Sequence, residues 1–368
     1  MKRIYGNLPD PLRNADNSII DSVTMWENER RAEILSLFEE HVFGINPVGR
    51  PESLCFHAVS TAGWMEGAAV RKSVEIAFEG PGGTASFPAA IFVPARSPKP
   101  VPVFLLINTG NISHADPERA TRTEYWPVEE IVSRGYAAAV FRVADIDPDE
   151  DDGFANGIHG VFDPPGTPRP ANAWGSIAAW AWGASRVLDY LETDPDIDAS
   201  KTAIIGHSRG GKTALWAGAT DRRFAMVVSN NSGCTGAAMS RGNTGERLVD
   251  INNAFPHWFN ANYKKYNGKE DELPFDQHML LSLIAPRPLY VASATEDSWA
   301  DPEGEFASLV LSESVYRLYG SGGLGTNSLP PADRPVHGDK MGYHLRTGRH
   351  TLTLYDWQQF MDFADRFL

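Results

Sequence analysis

Cysteine is scarce: Cys55 and Cys234 are the only two in 368 residues. They form no CxxC pair and no zinc pattern, so the reading is two buried thiols without a bridge. No run of about 18 apolar residues occurs, which excludes an ordinary helical membrane span. Positive charge is short as well. Lys plus Arg number 33 against 47 Asp plus Glu, for a net charge of −14. Without a basic patch to offset it, that balance argues against nucleic acid as a partner, because phosphates are repelled. The start, Met1-Lys2-Arg3-Ile4-Tyr5-Gly6-Asn7-Leu8-Pro9, is basic but lacks the apolar segment of a signal peptide. The expectation is a cytoplasmic protein as the chain stands, or a secreted or periplasmic one if a leader has been removed. Repeats and low-complexity linkers are lacking too.

What is present is globular. Hydrophobic residues make up 42% and charged ones 22%, enough apolar surface to offset chain entropy. A core of this size needs no disulfide staples. Trp26, Ile34, Leu35, Leu37 and Phe38 share one face of a helix predicted over residues 22–43, capped by Ser22. Strands are predicted at residues 73–78 and 89–93, joined by the Gly80–Gly83 turn. Residues 101–107 form a continuous apolar run, which suits a strand buried on both faces. Helix and strand then alternate: helix 127–133, strand 137–143, helix 176–191, strand 202–205, helix 211–219, strands 226–229 and 289–293, and a closing helix over 356–368. Such alternation predicts an α/β fold with a mostly parallel central sheet and helices on both faces. The expected organisation is a single domain over residues 1–368. It has an N-terminal helix and β extension over 1–70 and a long loop insertion at 144–172.

The strongest chemical signal is Ile204-Ile205-Gly206-His207-Ser208-Arg209-Gly210-Gly211-Lys212. It reads strand, Gly-x-Ser-x-Gly, helix, the pattern of a nucleophile elbow in the α/β-hydrolase fold. The turn would expose Ser208, and the two glycines leave room where a Cβ would crowd it. The Arg209 N–H, at the helix start, can donate to an oxyanion. A serine hydroxyl needs a base, and the base needs an orienting acid. On this fold the acid follows a later strand, which here gives Asp297 or Glu296; the shorter Asp297 is favoured. The base lies near the C-terminus: His350 is expected, with His344 as its competitor. The turn after strand 101–107, Asn108–Asn111, would supply a second oxyanion donor. His337, Asp339, His344 and His350 lack metal-ligand spacing. The acidic tract 145–152 reads as a solvated loop, and Trp174, Trp180, Trp182 and Trp216 read as core.

Several segments together resemble carbohydrate esterase family 15, the glucuronoyl esterases, and its bacterial members in particular. They are Gly206-His207-Ser208-Arg209-Gly210-Gly211-Lys212, Leu273-Pro274-Phe275-Asp276-Gln277-His278, Leu283-Ile284-Ala285-Pro286-Arg287-Pro288, Trp258-Phe259 and Gly348-x-His350, with Leu8–Leu12 and Trp26 to Leu35 near the start. The resemblance implies a serine esterase acting on esters of (4-O-methyl-)glucuronic acid, on a small carbohydrate ester or a glucuronoxylan fragment, with no cofactor. It gives Arg209 an oxyanion role, makes Lys212 a sugar contact and makes Trp258 a wall of the sugar site. Glu246, on a loop after the strand that follows the elbow, could also meet a sugar or pair with Arg241 or Arg247. The chain departs from the fungal pattern at Asn231-Ser232-Gly233, where fungal members carry Glu-Ser-Gly with Glu as the acid. An amide cannot balance an imidazolium, so the acid must come from the later loop. The fungal disulfide beside the nucleophile is missing too, since His207 and Thr351 occupy its positions. The alternatives are a carbohydrate deacetylase such as an acetylxylan esterase, and a non-catalytic carbohydrate-binding protein on the same fold.

Overall fold

In the computed structural model, which describes residues 7–163 and 166–368, ten strands form one sheet. They are β1 (Cys55–Gly63), β2 (Ala69–Gly80), β3 (Gly83–Pro94), β4 (Val101–Asn108), β5 (Ala137–Arg142), β6 (Ile197–His207), β7 (Met226–Asn230), β8 (Leu289–Ala294), β9 (Val336–His337) and β10 (Met341–Arg346). Their order is β1-β2-β3-β5-β4-β6-β7-β8-β10-β9. The six strands from β5 to β10 in that order pair in parallel. β1, β2 and β3 extend the sheet antiparallel at one edge. The architecture is the expected α/β-hydrolase sheet. The basic start at residues 1–6 lies outside the described residues.

Alternation along the central strands builds two cores. Val103, Leu105 and Ile107 of β4 face one core with Ile204 of β6, while Phe104 and Leu106 face the other with Ala203 and Ile205. Both faces are covered, which is why these strands read as unbroken apolar runs. Helices Ser176–Leu191 and Arg209–Thr220 cover the first face, and Val128–Ser133 and Leu354–Ala364 the second. Every residue of Ser176–Leu191 is buried, Arg186 and Asp189 included, because the N-terminal extension lies over it: Trp182 Nε1 donates to the Gly49 carbonyl at 2.8 Å.

Some expectations need correcting. The helix over residues 23–43 forms, but two π-helical stretches, Trp26–Arg30 and Glu39–Phe43, interrupt it. Strand β1 and the helix Pro302–Leu318 went unread, since β1 is mostly solvent-facing and carries no core periodicity. The stretch 144–172 contains a helix, Gly157–Phe162. Its acidic tract is not simply solvated: Asp147 is buried and accepts from His159 Nδ1 at 2.7 Å and Ser176 Oγ at 2.6 Å. Cys55 is exposed on a strand at the sheet edge; only Cys234 is buried, and burial pushes its thiol up to about 12.

Candidate active site

The elbow is built as its sequence requires. Ser208 sits between β6 and helix Arg209–Thr220 with φ 57° and ψ −124°, strained backbone of the kind held at functional turns. A Cβ on Gly206 would lie 2.0 Å from the Gly210 carbonyl oxygen, so the strand and helix approach this closely only with glycine there. The Arg209 N–H falls in the first turn of that helix, where amides have no intrahelical acceptor. Ile107 pairs with Gly206, so the turn after β4 brings Thr109 and Gly110 beside Ser208. Asn108 Oδ1 holds that turn through the Gly110 N–H at 3.0 Å.

The loops after β8 and β10 meet above the elbow. The Thr295 and Glu296 N–H groups donate to the carbonyls of Arg346 and Gly348, each at 2.8 Å. Arg346 then clamps the histidine loop, its Nη2 donating to the carbonyls of Arg349 at 2.8 Å and Thr351 at 3.0 Å. His350 lies between them. Its Nδ1 is 2.6 Å from Asp297 Oδ2, which also accepts from Asn231 Nδ2 at 2.8 Å. A carboxylate only accepts, so His350 Nδ1 carries the proton in this bond and Nε2 is the ring nitrogen turned away from Asp297. Burial pushes the Asp297 carboxyl up, but the bond and charge of His350 and the Asn231 amide outweigh it, and the group stays below the usual carboxylate range. Asn231, where the resemblance places the fungal acid, thus donates to Asp297.

The competing assignments separate cleanly. Glu296 points outward, 55% exposed, and pairs with Arg349 at 3.5 Å; it does not reach His350. His344 is fully buried on β10, bonded to Asp356 at 2.8 Å and Tyr290 at 3.1 Å. It is part of the lattice that holds Arg346, not of the cleft.

Ser208, Arg209 and His350 line one cleft of about 510 Å³ with Thr109, Gly110 and Tyr125. His207 forms part of its floor, its ring centroid 4.5 Å from that of His350. His207 Nδ1 donates to Asn230 Oδ1 at 2.6 Å, an orientation fixed because the Asn230 amide nitrogen faces the Asp356 carboxylate. Burial, with the neighbouring His350, drives the His207 pKa down to about 3. In the unfolded chain this group titrates near about 6.5, so between those values the unfolded state binds more protons. The stability that neutral His207 supports is complete above about pH 6.5. It falls as pH drops toward 3, by about 1.4 kcal/mol per pH unit. Thermal melts between pH 4 and 7 are expected to show a shallower pH slope for His207→Gln than for the wild type; equal slopes would contradict this.

The sugar-side residues are less as expected. The Lys212 ammonium donates to the Ser232 carbonyl and is only 4% exposed, so it braces the turn that carries Asn231. Trp258 is 3% exposed. Phe255 stacks on it at 3.8 Å with 3° between planes, and the Arg209 guanidinium lies 4.7 Å from its centroid. Trp258 lies behind Arg209 and is nearly closed to solvent, where the sequence resemblance implies a sugar wall. Glu246 is partly buried on the loop that meets Trp299, its N–H donating to the Trp299 carbonyl at 2.9 Å. Arg241 and Arg247 pair instead with Asp276 and Glu270.

Asp149 and Arg346 escaped the sequence reading. Asp149, in the acidic tract, forms an ion pair with Arg209 and accepts from His257 Nε2 at 3.0 Å and Trp258 Nε1 at 2.7 Å. No local pattern separates it from its exposed neighbour Glu150.

Known proteins resemble the chain over nearly its whole length. The family profile described as "Glucuronyl esterase, fungi" matches residues 76–320. The chain is 42% identical to carbohydrate esterase MZ0003, from an unknown prokaryotic organism, over 97% of this chain and 89% of that one. It is 29% identical to 4-O-methyl-glucuronoyl methylesterase 1 of Wolfiporia cocos, over 86% of this chain and 73% of that one. A solved glucuronoyl esterase from Solibacter usitatus superposes with a TM-score of 0.91 at 40% identity, covering 99% of this chain and 98% of that one. A promiscuous CE15 esterase from a marine bacterial metagenome superposes with a TM-score of 0.89, also at 40% identity, with both chains fully covered. The chain belongs to carbohydrate esterase family 15, the glucuronoyl esterases, as a bacterial-type member and a carboxylic ester hydrolase.

Proposed function

We propose that this esterase hydrolyses esters of (4-O-methyl-)glucuronic acid through Ser208, His350 and Asp297. The observation that carries the reading is the 2.6 Å bond from His350 Nδ1 to Asp297 Oδ2, beside a serine held at φ 57° in an elbow. It leaves the Nε2 lone pair as the base for Ser208.

His350 Nε2 takes the Ser208 Oγ proton as Oγ attacks the ester carbonyl carbon. The carbonyl π-electrons move onto oxygen, and that oxyanion is met by the Arg209 N–H, its guanidinium and the Thr109–Gly110 turn. The C–O bond to the alcohol then breaks, and the alcohol leaves with the proton from His350. Water repeats the sequence on the acyl-enzyme: His350 takes its proton, the acid is released, and Ser208 regains its hydrogen. Asp297 remains an anion throughout and stabilises the imidazolium. Glu246 and Trp258 are assigned to the sugar side, with Lys212 holding the Ser232 carbonyl of the turn after β7. The 4-O-methyl-glucuronoyl activity named for the fungal relative supports the acid component of the ester.

The test is parallel hydrolysis of benzyl D-glucuronate, methyl D-glucuronate, acetylated xylan and p-nitrophenyl acetate, with Ser208→Ala as blank. A kcat/KM preference of about a hundredfold or more for the glucuronate esters is expected, since a site built to bind a substrate's polar groups rejects analogues lacking them. Preference for acetyl esters would make the enzyme a deacetylase. Sugar binding without turnover would make it a binding protein.

A further inference from the structure

Arg209 is placed against an anion before any substrate arrives. Asp149 is partly buried, its side chain 18% exposed, and is fixed from three sides. Oδ2 pairs with Arg209 Nη1, and Oδ1 accepts from His257 Nε2 and Trp258 Nε1. Burial pushes the carboxyl up, but His257, Arg209 and Trp258 outweigh it and keep it below the usual carboxylate range. The guanidinium also lies 4.7 Å from the centroid of Trp258 and 5.2 Å from that of Phe255. The ion pair commits Nη1 and, with the two rings, holds the guanidinium at the wall of the cleft that contains Ser208.

This arrangement has two opposed consequences. A fixed fork of donors serves an oxyanion at one defined point, because no reorganisation is needed when charge develops there. A carboxylate product is different. It is a free anion that would seek a bidentate pair with any unneutralised guanidinium. The reaction begins with a neutral ester and ends with an acid ionised at neutral pH, so an unpaired Arg209 would hold the product more tightly than the substrate.

We propose that Asp149 is a positioning residue and counter-ion for Arg209, aiming the guanidinium at the oxyanion while cancelling the charge that would retain the carboxylate product. The glucuronate form of this inference rests on the proposed function. The counter-ion argument itself needs only that the product be an acid.

The experiment compares wild type, Asp149→Asn and Asp149→Glu on benzyl D-glucuronate, with D-glucuronate as product inhibitor and thermal melting as a control. Asp149→Asn is expected to lower kcat about tenfold, through a less well aimed guanidinium, and to tighten the inhibition constant for D-glucuronate about tenfold or more. Asp149→Glu, which keeps the charge, is expected to retain weak product inhibition. A mere packing role would weaken catalysis and product binding together. If kcat falls while inhibition by D-glucuronate is unchanged or weaker, the inference is overturned. Should Asp149→Asn fail to melt cooperatively, Asp149→Ser is read for the same opposed pair of changes. Should wild type spare glucuronate esters but hydrolyse p-nitrophenyl acetate, the substrate reading fails. Acetate then becomes the product inhibitor, with the same tightening expected.

Discussion

Ser208→Ala is expected to lower kcat on benzyl D-glucuronate by a factor on the order of 10⁵ to 10⁶, with KM changed little. Removing the hydroxyl removes the atom that forms the acyl-enzyme. His350 and Asp297 then have no proton to manage, so the loss is nearly as large as deleting the whole group. What remains is the oxyanion cradle of the Arg209 N–H and the Thr109–Gly110 turn, which can still polarise the carbonyl toward water. The fold should be untouched, since alanine carries the same Cβ strain at φ 57° as serine does. Steady-state rates with active-site titration check this. A loss of only about tenfold would mean that water, not Ser208, attacks the ester.

The second large effect separates two adjacent carboxylates. Asp297→Asn is expected to cost roughly 10⁴-fold in kcat, whereas Glu296→Gln is expected to stay within about twofold of wild type. The asymmetry follows from geometry. Asp297 Oδ2 receives both the imidazole N–H and the Asn231 amide, while Glu296 meets only exposed Arg349. An Asn at 297 can present its own N–H groups to His350, which turns the ring toward the wrong tautomer and provides no charge for the imidazolium. Because the Asp297 carboxyl is held below its usual range, the wild type should keep the acid ionised under mildly acidic assay conditions. The pairing also contributes to stability above the unfolded carboxylate pKa, and that contribution is lost as pH falls through the lower folded value. Comparing the two variants' kcat and melting curves checks both statements. Equal losses would return Glu296 to the site.

Much of this was legible in the sequence, for identifiable reasons. Central strands such as β4 are apolar on both faces, so residues 101–107 announce themselves. The elbow does too, because Gly206 and Ser208 meet a steric demand that few other residues satisfy. The acid and base were narrowed by chain order, but Asp297 and Glu296 are neighbours. Only the turn after β8 decides which one points inward. Lys212 and Trp258 were placed near the site by resemblance, yet their actual contacts depend on Ser232 and Phe255, residues brought to them by tertiary packing. Asp149 shows the limit most clearly. In sequence it is one acid among several in a Pro- and Asp-rich stretch. What sets it apart is His257 and Trp258, more than a hundred residues away. Arg346 is similar: its role is defined by two carbonyls either side of His350 and by buried Asp356, which no local spacing encodes.

The most direct measurement is a crystal structure of the Ser208→Ala variant with methyl D-glucuronate bound. The account predicts the ester carbonyl carbon facing residue 208, its oxygen at the Arg209 N–H and the Thr109–Gly110 turn, the methoxy group toward His350, and the sugar ring on the side of Glu246. A ligand bound in that cleft with its carbonyl turned away from residue 208 and Arg209, or seated outside the cleft altogether, would contradict it.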